Sequence, residues 1–211
     1  MRNTYDYIAP YYDSIVKLVF GNHILESQIS FLDRLPNKGK ILLIGGGTGK
    51  TLQKLVELKP LLHIDYVDAS SKMIQKSKEL LVNTAHNVTF IKGTEEVIPS
   101  INYDAILTFF FLDLFEQKKR KDIFHLLNNK LKPNGKWFVS DFNTPNNLYN
   151  KLLETTMFLF LKITTKIESN KIENYLDLFN QQGFKLNGRS EHFNNFIFSC
   201  IYQKQDGTII G

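Results

Sequence analysis

The sequence predicts an α/β fold in which helices cover both faces of a doubly wound, mostly parallel β-sheet. Three observations predict it. Strand-like and helix-like segments alternate over most of the 211 residues, the connections between them are short, and the last two strand-like segments follow each other directly. Alternation with short connections is typical of parallel sheets with right-handed crossovers. The final pair predicts an antiparallel hairpin at the end of the sheet.

The first half of the chain predicts a helical cap followed by three strands. The segment from Tyr5 to Leu35 is amphipathic and is broken near Gly21, which predicts two helices. The run ILLI at 41–44 is typical of a strand buried on both faces of a parallel sheet. The next segments are the helix KTLQKLVEL, the strand HIDYVD, the helix SKMIQKSKELLVN and the strand VTFIKG.

The second half predicts four more strands. The strand YDAILTFFF precedes a helix from about Glu116 to Leu131, and residues 133–135, Pro-Asn-Gly, predict a turn into the strand KWFVSDF. Helical residues are expected at 148–163 and over IENYLDLFNQQ, which ends before Gly183. The closing strands are FKLNGRSEHF and NFIFSCIYQK, joined at Asn194 and Asn195.

Composition indicates one globular domain, because 43% of the residues are hydrophobic and 22% are charged. We expect a helical cap at 1–35, the core at 36–204 and a disordered tail at 205–211. No run approaches the roughly 20 apolar residues that span a bilayer, and the start lacks the apolar stretch of a signal peptide. The single cysteine, Cys200, excludes a disulfide framework and a cysteine-rich metal site. We therefore expect a cytoplasmic protein without a bound metal.

The net charge of +5 raises the question of an anionic partner such as nucleic acid. The basic residues are dispersed, however. The densest run, Lys118 to Lys121, lies on a predicted helix whose apolar side chains face inward, which indicates a solvated helix face. No aromatic-interleaved RNA-binding motif accompanies the run. We therefore expect no nucleic-acid partner.

The glycine-rich turn at 45–49, GGGTG, is the strongest functional signal. It joins a buried strand to a helix, where a tight turn needs positive φ and a bound nucleotide needs positions without a Cβ. Three nucleotide-binding patterns compete for it. The phosphate loop of NTPases would need glycine at Ile44, and G-x-G-x-x-G would need glycine at Lys50. The pattern G-x-G-x-G fits, with Asp68 at the end of the next strand.

The string ILLIGGGTG followed by IDYVDAS resembles the first two motifs of class I S-adenosylmethionine-dependent methyltransferases. The N-terminal string YDYIAPYYD is similar to a segment that closes over the cofactor in members of the small-molecule type. The resemblance extends over most of the chain. It implies a Rossmann-like, seven-stranded sheet, S-adenosylmethionine as cofactor, and direct in-line methyl transfer to a small-molecule acceptor. The acceptor and the oligomeric state stay open.

The resemblance also implies roles for single residues. Asp68 would bind both ribose hydroxyls, because a carboxylate accepts two hydrogen bonds, although it could instead cap the helix that follows. Thr94 stands where the family usually has an Asp against the adenine amine, and Met73 either covers the adenine or packs in the core. Ligands of such sheets bind outside the carboxyl ends of the strands. The predicted cofactor-binding residues are Tyr12, Gly45, Gly46, Gly47, Gly49, Asp68, Ala69, Met73, Gly93, Thr94, Glu95, Thr108 and Phe109.

An acceptor hydroxyl or acidic carbon would need a general base, whereas an acceptor that is already nucleophilic needs mainly alignment. The candidates for catalysis are Tyr12, Asp113 and Asp141, with His192 as a further possible base. The alternatives are helix caps for the two aspartates and a hairpin-face position for His192.

Aromatic residues are candidates for cation–π contact with the sulfonium and for water exclusion. They are Tyr5, Tyr7, Tyr11, Tyr12, Phe109, Phe110 and Phe111. Core packing is the alternative for the three phenylalanines. The run TTMFLFLKI could line an apolar substrate pocket, touch a membrane surface or form a buried helix.

One departure and two alternatives remain. Leu43 replaces the acidic residue that the family usually has two positions before the first glycine. The methionine amino group would then be held by backbone carbonyls or by the N-terminal segment. The other classes of function that fit the turn are an NTPase with a phosphate loop and a protein of the same fold that binds the cofactor without methyl transfer.

Overall fold

The structure is a computed structural model that describes residues 5–81, 87–145, 147–155 and 171–205. The side chains of 5–11, and so those of Tyr5, Tyr7 and Tyr11, lie outside this description. The second half of the predicted helix at 148–163, most of the TTMFLFLKI run and the predicted tail beyond Gln205 lie outside it too.

Seven strands form one sheet in the order β3-β2-β1-β4-β5-β7-β6. Strands β1 to β5 are parallel, and β7 runs antiparallel to both β5 and β6. This arrangement confirms the predicted fold class, including the closing hairpin. The strands are β1 Gly39–Ile44, β2 Leu62–Asp68, β3 Val88–Lys92, β4 Tyr103–Phe109, β5 Leu131–Phe142, β6 Phe184–His192 and β7 Ile197–Lys204.

Helices cover both faces of the sheet. They are α1 Tyr5–Phe20, α2 His23–Ile29, α3 Lys50–Leu58, α4 Ser71–Leu80, α5 Gln117–Lys130, α6 at 148–155 and α7 Asp177–Gln181. Short 3₁₀ turns occupy Leu32–Arg34, Glu95–Val97 and Leu112–Leu114. No helix among the described residues is long and apolar enough to cross a membrane.

Strand β1 is buried on both faces, as its apolar run predicts. Ile41 and Leu43 belong to the core beneath α3 and α4, whereas Leu42 and Ile44 belong to the core beneath α5 and α7. All four are at most 1% exposed. Their alternation follows the two-residue period of a strand. The strand order places β1 between β2 and β4, in the interior of the sheet.

Two predicted elements differ from the structure. Strand β5 begins at Leu131 rather than at Lys136, and the predicted turn lies inside it as an irregularity in register with Asn134 at φ 59°. The helix predicted from Ile172 begins only at Asp177. The preceding residues make other bonds: the Asn174 carboxamide accepts from the backbone of Leu176. Side chains that bond the backbone locally compete with helix formation.

The two-helix cap is anchored to the far half of the sheet through a backbone carbonyl of α2. The hydroxyls of Ser140 on β5 and Ser199 on β7 both donate to the carbonyl oxygen of Ser27, at 3.0 and 2.7 Å. All three serines are 1% exposed. The last carbonyls of a helix have no partner within it. The two strand serines satisfy one of them and fix α2 against the sheet.

Phe179 on α7 is the centre of the aromatic core beneath α5. Its ring stacks on Tyr202 at 4.0 Å between centroids and meets the edge of Trp137 at 5.1 Å. It is completely buried. Because α7 has only five residues, packing of this ring rather than helix propensity holds the element in place.

We predict that Phe179→Ala lowers the free energy of unfolding by about 3–5 kcal/mol, because it removes buried contacts and leaves a cavity. Urea denaturation measures the change. Leu186→Ala, at a strand residue that is 45% exposed, is the control and should shift it by about 0.5 kcal/mol or less. Equal small effects would contradict the role given to this ring.

Candidate functional site

The turn between β1 and α3 needs glycine at each of its four glycine positions, for two different reasons. Gly45, Gly47 and Gly49 adopt φ of 69°, 65° and 87°, a region that favours glycine. Gly46 does not, but a Cβ there would lie 2.1 Å from the ring of Tyr66. The backbone can therefore follow this tight path only without side chains.

Residues of β2 and α4 hold the turn in place. The Tyr66 hydroxyl donates to the carbonyl of Gly47 at 2.6 Å, and the Gly47 amide donates to Asp68 Oδ2 at 2.9 Å. Asp68 Oδ1 accepts from the amide of Ser70 at 2.8 Å. Burial, together with the charge of Asp68, raises the pKa of Tyr66 well above its ordinary value, so this hydroxyl stays a donor. Both Gly47 backbone groups are thus bound to residues of the second strand.

Ser70, rather than Asp68, caps α4. The Ser70 hydroxyl accepts from the amide of Met73 at 3.2 Å, the usual geometry of an N-cap serine. Asp68 lies two residues earlier, at the end of β2, and its carboxylate connects the glycine turn to the start of the helix. The capping alternative considered for Asp68 is therefore taken by its neighbour.

A cleft opens above the carboxyl ends of β1 and β4. These two strands are neighbours at the point where the strand order reverses, which is where open α/β sheets bind ligands. The glycine turn forms its floor, α1 and α2 form its walls, and the end of β4 closes it. Its lining is Tyr12, Asp13, Val16, Lys17, Gly21, Asn22, Ile24, Leu25, Gln28, Gly45, Gly46, Gly47, Thr48, Lys50, Thr51, Phe109 and Phe110.

Asp13 ties α1 to the glycine turn. Its Oδ1 accepts from the Thr48 hydroxyl at 2.9 Å and lies 3.2 Å from the Lys50 ammonium. The Thr51 hydroxyl donates to Gln28 of α2 as well. Both cap helices are therefore bonded to the turn or to the start of α3. Neither Asp13 nor Gln28 was among the predicted site residues, and the only sequence signal for Asp13 was its place as the last residue of YDYIAPYYD.

Five of the predicted site residues line this cleft. They are Tyr12, Gly45, Gly46, Gly47 and Phe109. Phe110 lines it as well, and its φ of 50° turns the chain sharply after β4. Phe111 instead packs under the turn, where a Cβ on Gly45 would meet its ring at 2.7 Å. The three consecutive phenylalanines thus divide between the cleft wall and the core.

A second group of predicted residues lies at the ends of β2 and β3. The backbone of Gly93 donates to the carbonyl of Asp68 at 3.0 Å, which joins the two strand ends. Met73 is 3% exposed, whereas Thr94 is exposed. The residues in this group are Asp68, Ala69, Met73, Gly93, Thr94 and Glu95, and Gly49 packs beneath it against Ser77. None of them lines the cleft above β1 and β4.

The remaining candidates point away from the cleft. Thr108 is buried and accepts from the Trp137 indole at 2.9 Å, on the α5 side of the sheet. Asp113 and Asp141 are 6% and 0% exposed, respectively. Trp137, Val139 and Asp141 alternate with residues facing α2, so the two-residue period of β5 already places Asp141 on the α5 face. His192 lies on β6, where its Nε2 is 2.9 Å from the Ser190 hydroxyl.

Asp113 and Asp141 form a buried pair of carboxyl groups. The Tyr175 hydroxyl donates to Asp141 Oδ2 at 2.6 Å, and the Phe142 amide donates to its Oδ1 at 2.9 Å. Asp113 Oδ1 is buried and has no hydrogen-bond partner among the residues that the structure describes. Burial raises the pKa of Asp113 to about 6, and burial together with the charge of Asp113 raises that of Asp141. Two ionised carboxylates this close repel each other, so the pair retains a proton at higher pH than a solvated aspartate does.

Leu43 is 1% exposed and belongs to the core beneath α3. An acidic side chain at this position would have no solvent contact. Leucine, in place of the acidic residue that is usual in the family, is therefore compatible with the packing. The residue that brings a carboxylate to the glycine turn from outside the sheet is Asp13, which belongs to the N-terminal segment.

We predict that Gly46→Ala destabilises the protein by about 1–3 kcal/mol, because the new methyl group displaces the Tyr66 ring and strains the turn. Thermal unfolding measures the loss. Gly21→Ala is the control: it has a φ of 60° but no atom within 4 Å of the added methyl group. Gly21→Ala should lower the stability only by the cost of an alanine in the left-handed conformation, about 1–2 kcal/mol. It should leave the bond from the Tyr66 hydroxyl to the Gly47 carbonyl intact. A normal Tyr66 environment in the Gly46 variant would contradict this account.

We predict that Asp113→Asn makes the free energy of unfolding less dependent on pH. The pKa values of the two carboxyl groups are higher in the folded protein than in the unfolded chain. Their contribution to stability is therefore complete below the unfolded-state pKa values and is lost as the pH rises through the folded-state pKa values. The variant removes one titrating group. The difference in free energy of unfolding between the variant and the unaltered protein should therefore change by on the order of 2 kcal/mol from pH 5 to 8, in favour of the variant. Urea denaturation across this range measures it. The exposed Asp122→Asn is the control, and parallel curves for Asp113→Asn would contradict the prediction.

Comparisons with known proteins agree with the geometry. Residues 42–137 match the family model described as a methyltransferase domain. Malonyl-[acyl-carrier protein] O-methyltransferase 2 of Ilyobacter polytropus is 30% identical over 121 residues, which cover 57% of this chain and 46% of that protein. Malonyl-[acyl-carrier protein] O-methyltransferase 1 of the same organism is 24% identical over 185 residues, which cover 88% and 66%.

Among solved structures, the fold is similar to that of Burkholderia thailandensis 1,6-didemethyltoxoflavin-N1-methyltransferase, with bound 1,6-didemethyltoxoflavin and S-adenosylhomocysteine. The TM-score is 0.71 at 13% identity, over 96% of this chain and 87% of that one. The chain spans about half to two thirds of the length of the curated relatives named above. The methyltransferase-domain match covers the glycine turn and the acidic strand end, and the similar solved structure has the same Rossmann-like fold as this chain.

Proposed function

We propose that the protein binds S-adenosylmethionine across the glycine turn and transfers its methyl group to a small-molecule acceptor in the cleft between the turn and the cap helices. The observation that carries the proposal is the bond between the Gly47 amide and the Asp68 carboxylate. It brings a positive-φ glycine turn and an acidic strand end together at the point where the strand order reverses.

The residues present fit this cofactor. A Cβ on Gly47 would meet no atom within 4 Å, although the residue lines the cleft, so the turn leaves open space for a ligand to lie against the backbone. The Asp68 carboxylate has two acceptor oxygens, which is the type of group that binds a pair of hydroxyls, and its bond to the Gly47 amide holds it at the turn. We propose that Asp68 binds the ribose hydroxyls and that Gly45 to Gly47 contact the methionine part.

The chain's own contribution to catalysis is positioning. When bound, the cofactor supplies an electrophilic methyl group on a sulfonium whose leaving group is neutral. The cap helices, fixed by Asp13 and Ser27, cover the cleft and exclude water, while Phe109 and Phe110 give it an aromatic wall. Holding two reactants in line is worth an effective concentration on the order of 10⁵ M or more. Direct in-line transfer needs no more from these residues when the acceptor is already nucleophilic.

The structure gives the phosphate-loop alternative no support. Ile44 occupies the position of the first glycine of that loop and is buried in the core. Lys50, which would contact phosphate, is paired with Asp13 of α1. A binding protein without methyl transfer differs from the proposal only in turnover, so an activity assay is what separates these two.

The similar proteins are named for methylation at different kinds of acceptor atom. The two curated relatives are named O-methyltransferases, whereas the solved relative is named for methylation at a nitrogen. We therefore propose a small-molecule acceptor without taking its identity from them. We also propose a cytoplasmic location, since the only cysteine, Cys200, is buried and unpaired with any other cysteine.

We predict that Asp68→Asn weakens S-adenosylhomocysteine binding by about 10- to 100-fold, because hydrogen bonds to a charged group contribute about 1.5–3 kcal/mol. Isothermal titration calorimetry measures the affinity, and Asp122→Asn is the control. Binding of MgATP in preference to S-adenosylhomocysteine, or an unchanged affinity in Asp68→Asn, would overturn the cofactor assignment. Release of S-adenosylhomocysteine during turnover with an acceptor panel tests the transfer itself.

A further inference from the structure

One stripe of α1 faces the cleft and carries three kinds of side chain. Asp13, Val16, Lys17 and Phe20 have the spacing i, i+3, i+4 and i+7, which places them on one face of a helix. Asp13 binds the glycine turn, and Phe20 is buried against Phe142. Lys17 lines the cleft about 6 Å further along the helix axis than Asp13. It therefore lies toward the α1–α2 corner, beyond the glycine turn.

Lys17 differs from the other cation of the cleft. Lys50 is paired with Asp13, whereas no ion pair of Lys17 is found within the part of the chain that the structure describes. Asn22 lines the same end of the cleft, and its side chain does not cap α2. With two lysines and one aspartate, the described lining carries a net charge of +1. The corner end of the cleft thus offers a cation and an amide donor.

The wall between these polar groups and the glycine turn is apolar. Val16, Ile24 and Phe110 pack together against the core that contains Phe20 and Phe142. A ligand that reaches from the turn to Lys17 therefore contacts aliphatic and aromatic groups along its length. This combination suits an apolar molecule with an anionic group.

Apart from Tyr12, the described lining of the cleft has no uncommitted side chain that could act as a general base. Its only carboxylate is Asp13, which is engaged by Thr48 and Lys50, and the described lining has no histidine or cysteine. An aliphatic hydroxyl would have to lose a proton to attack, whereas a carboxylate is already ionised at neutral pH. The anionic group that Lys17 can hold is thus also one that can attack without a base.

We propose that the acceptor is a carboxylic acid with an apolar body, bound by Lys17 and methylated on a carboxylate oxygen. The inference rests on the function proposed above. One carboxylate oxygen forms a new bond to the methyl carbon, the bond from that carbon to sulfur breaks, and its electron pair stays on sulfur. The products are a neutral methyl ester and S-adenosylhomocysteine, and no proton is released. The ester has no charge to pair with Lys17, which favours its departure.

The test uses the protein saturated with S-adenosylhomocysteine and four probes that share one chain: hexanoate, hexanamide, hexanol and hexylamine. Calorimetry should show that hexanoate binds at least tenfold more tightly than the other three and than methyl hexanoate. Lys17→Gln should weaken hexanoate binding about 10-fold, and Lys17→Arg should restore most of it. Lys118→Gln, on the exposed face of α5, is the matched control.

Turnover gives an independent readout. With S-adenosylmethionine, hexanoate should yield methyl hexanoate, and Lys17→Gln should raise KM with little change in kcat, because the ion pair is made before the transition state. Equal binding of the four probes, or hexanoate binding that is unaffected in Lys17→Gln, would overturn the inference. So would a loss of S-adenosylhomocysteine affinity in Lys17→Gln with hexanoate unaffected, since Lys17 would then hold the cofactor's own carboxylate. Failure of S-adenosylhomocysteine to bind the unaltered protein would instead overturn the proposed function, and this inference with it.

Discussion

The close approach of the Tyr66 ring to the backbone of Gly46 is the constraint on which the glycine turn depends. It fixes the path of the turn, because only a residue without a Cβ fits beside the ring. The hydroxyl of the same ring then binds the carbonyl of Gly47, whose amide is held by Asp68. One aromatic side chain on β2 thereby sets the geometry of the glycine turn. The turn then places Thr48 and Lys50 where they bind Asp13 on α1.

The cap helices are the second determinant of the cleft, and they depend on tertiary bonds. Helix α2 has seven residues, too few to be stable by itself. Its attachment to β5 and β7 through the Ser27 carbonyl, and to α3 through Gln28, supplies the missing stabilisation. These helices carry Val16, Lys17 and Asn22 to the cleft, so one side of the cleft is built on the cap and the other on the sheet.

The parts of the fold that could be predicted from the sequence are those encoded by local patterns. The doubly buried run at 41–44, the glycine turn and the hairpin at Asn194 each depend on a few consecutive residues. The helix predicted from Ile172 failed because Asn174 and Tyr175 bond to the backbone and to Asp141 instead. The second of these contacts joins residues 34 positions apart, and neither contact leaves a periodic trace in the sequence.

The same division applies to the site. Gly45, Gly46 and Gly47 were found because a turn needs them, whereas Asp13 and Lys17 acquire their positions only when α1 docks. Asp141 was nominated by its place at a strand end. The alternation of side chains along β5 predicts that Asp141 lies on the same face of the sheet as Trp137 and Val139. That face is opposite to the cleft.

The bond from Ser199 to Ser27 has a consequence for the order in which the molecule is completed. These residues are 172 positions apart, and the hydroxyl belongs to β7 while the carbonyl belongs to a wall of the cleft. During synthesis, the glycine turn and Asp68 are made long before β7 leaves the ribosome. Helix α2 gains this bond only then, so the glycine turn can form early, while the wall that α2 gives the cleft is fixed only when the distant hairpin pairs with β5.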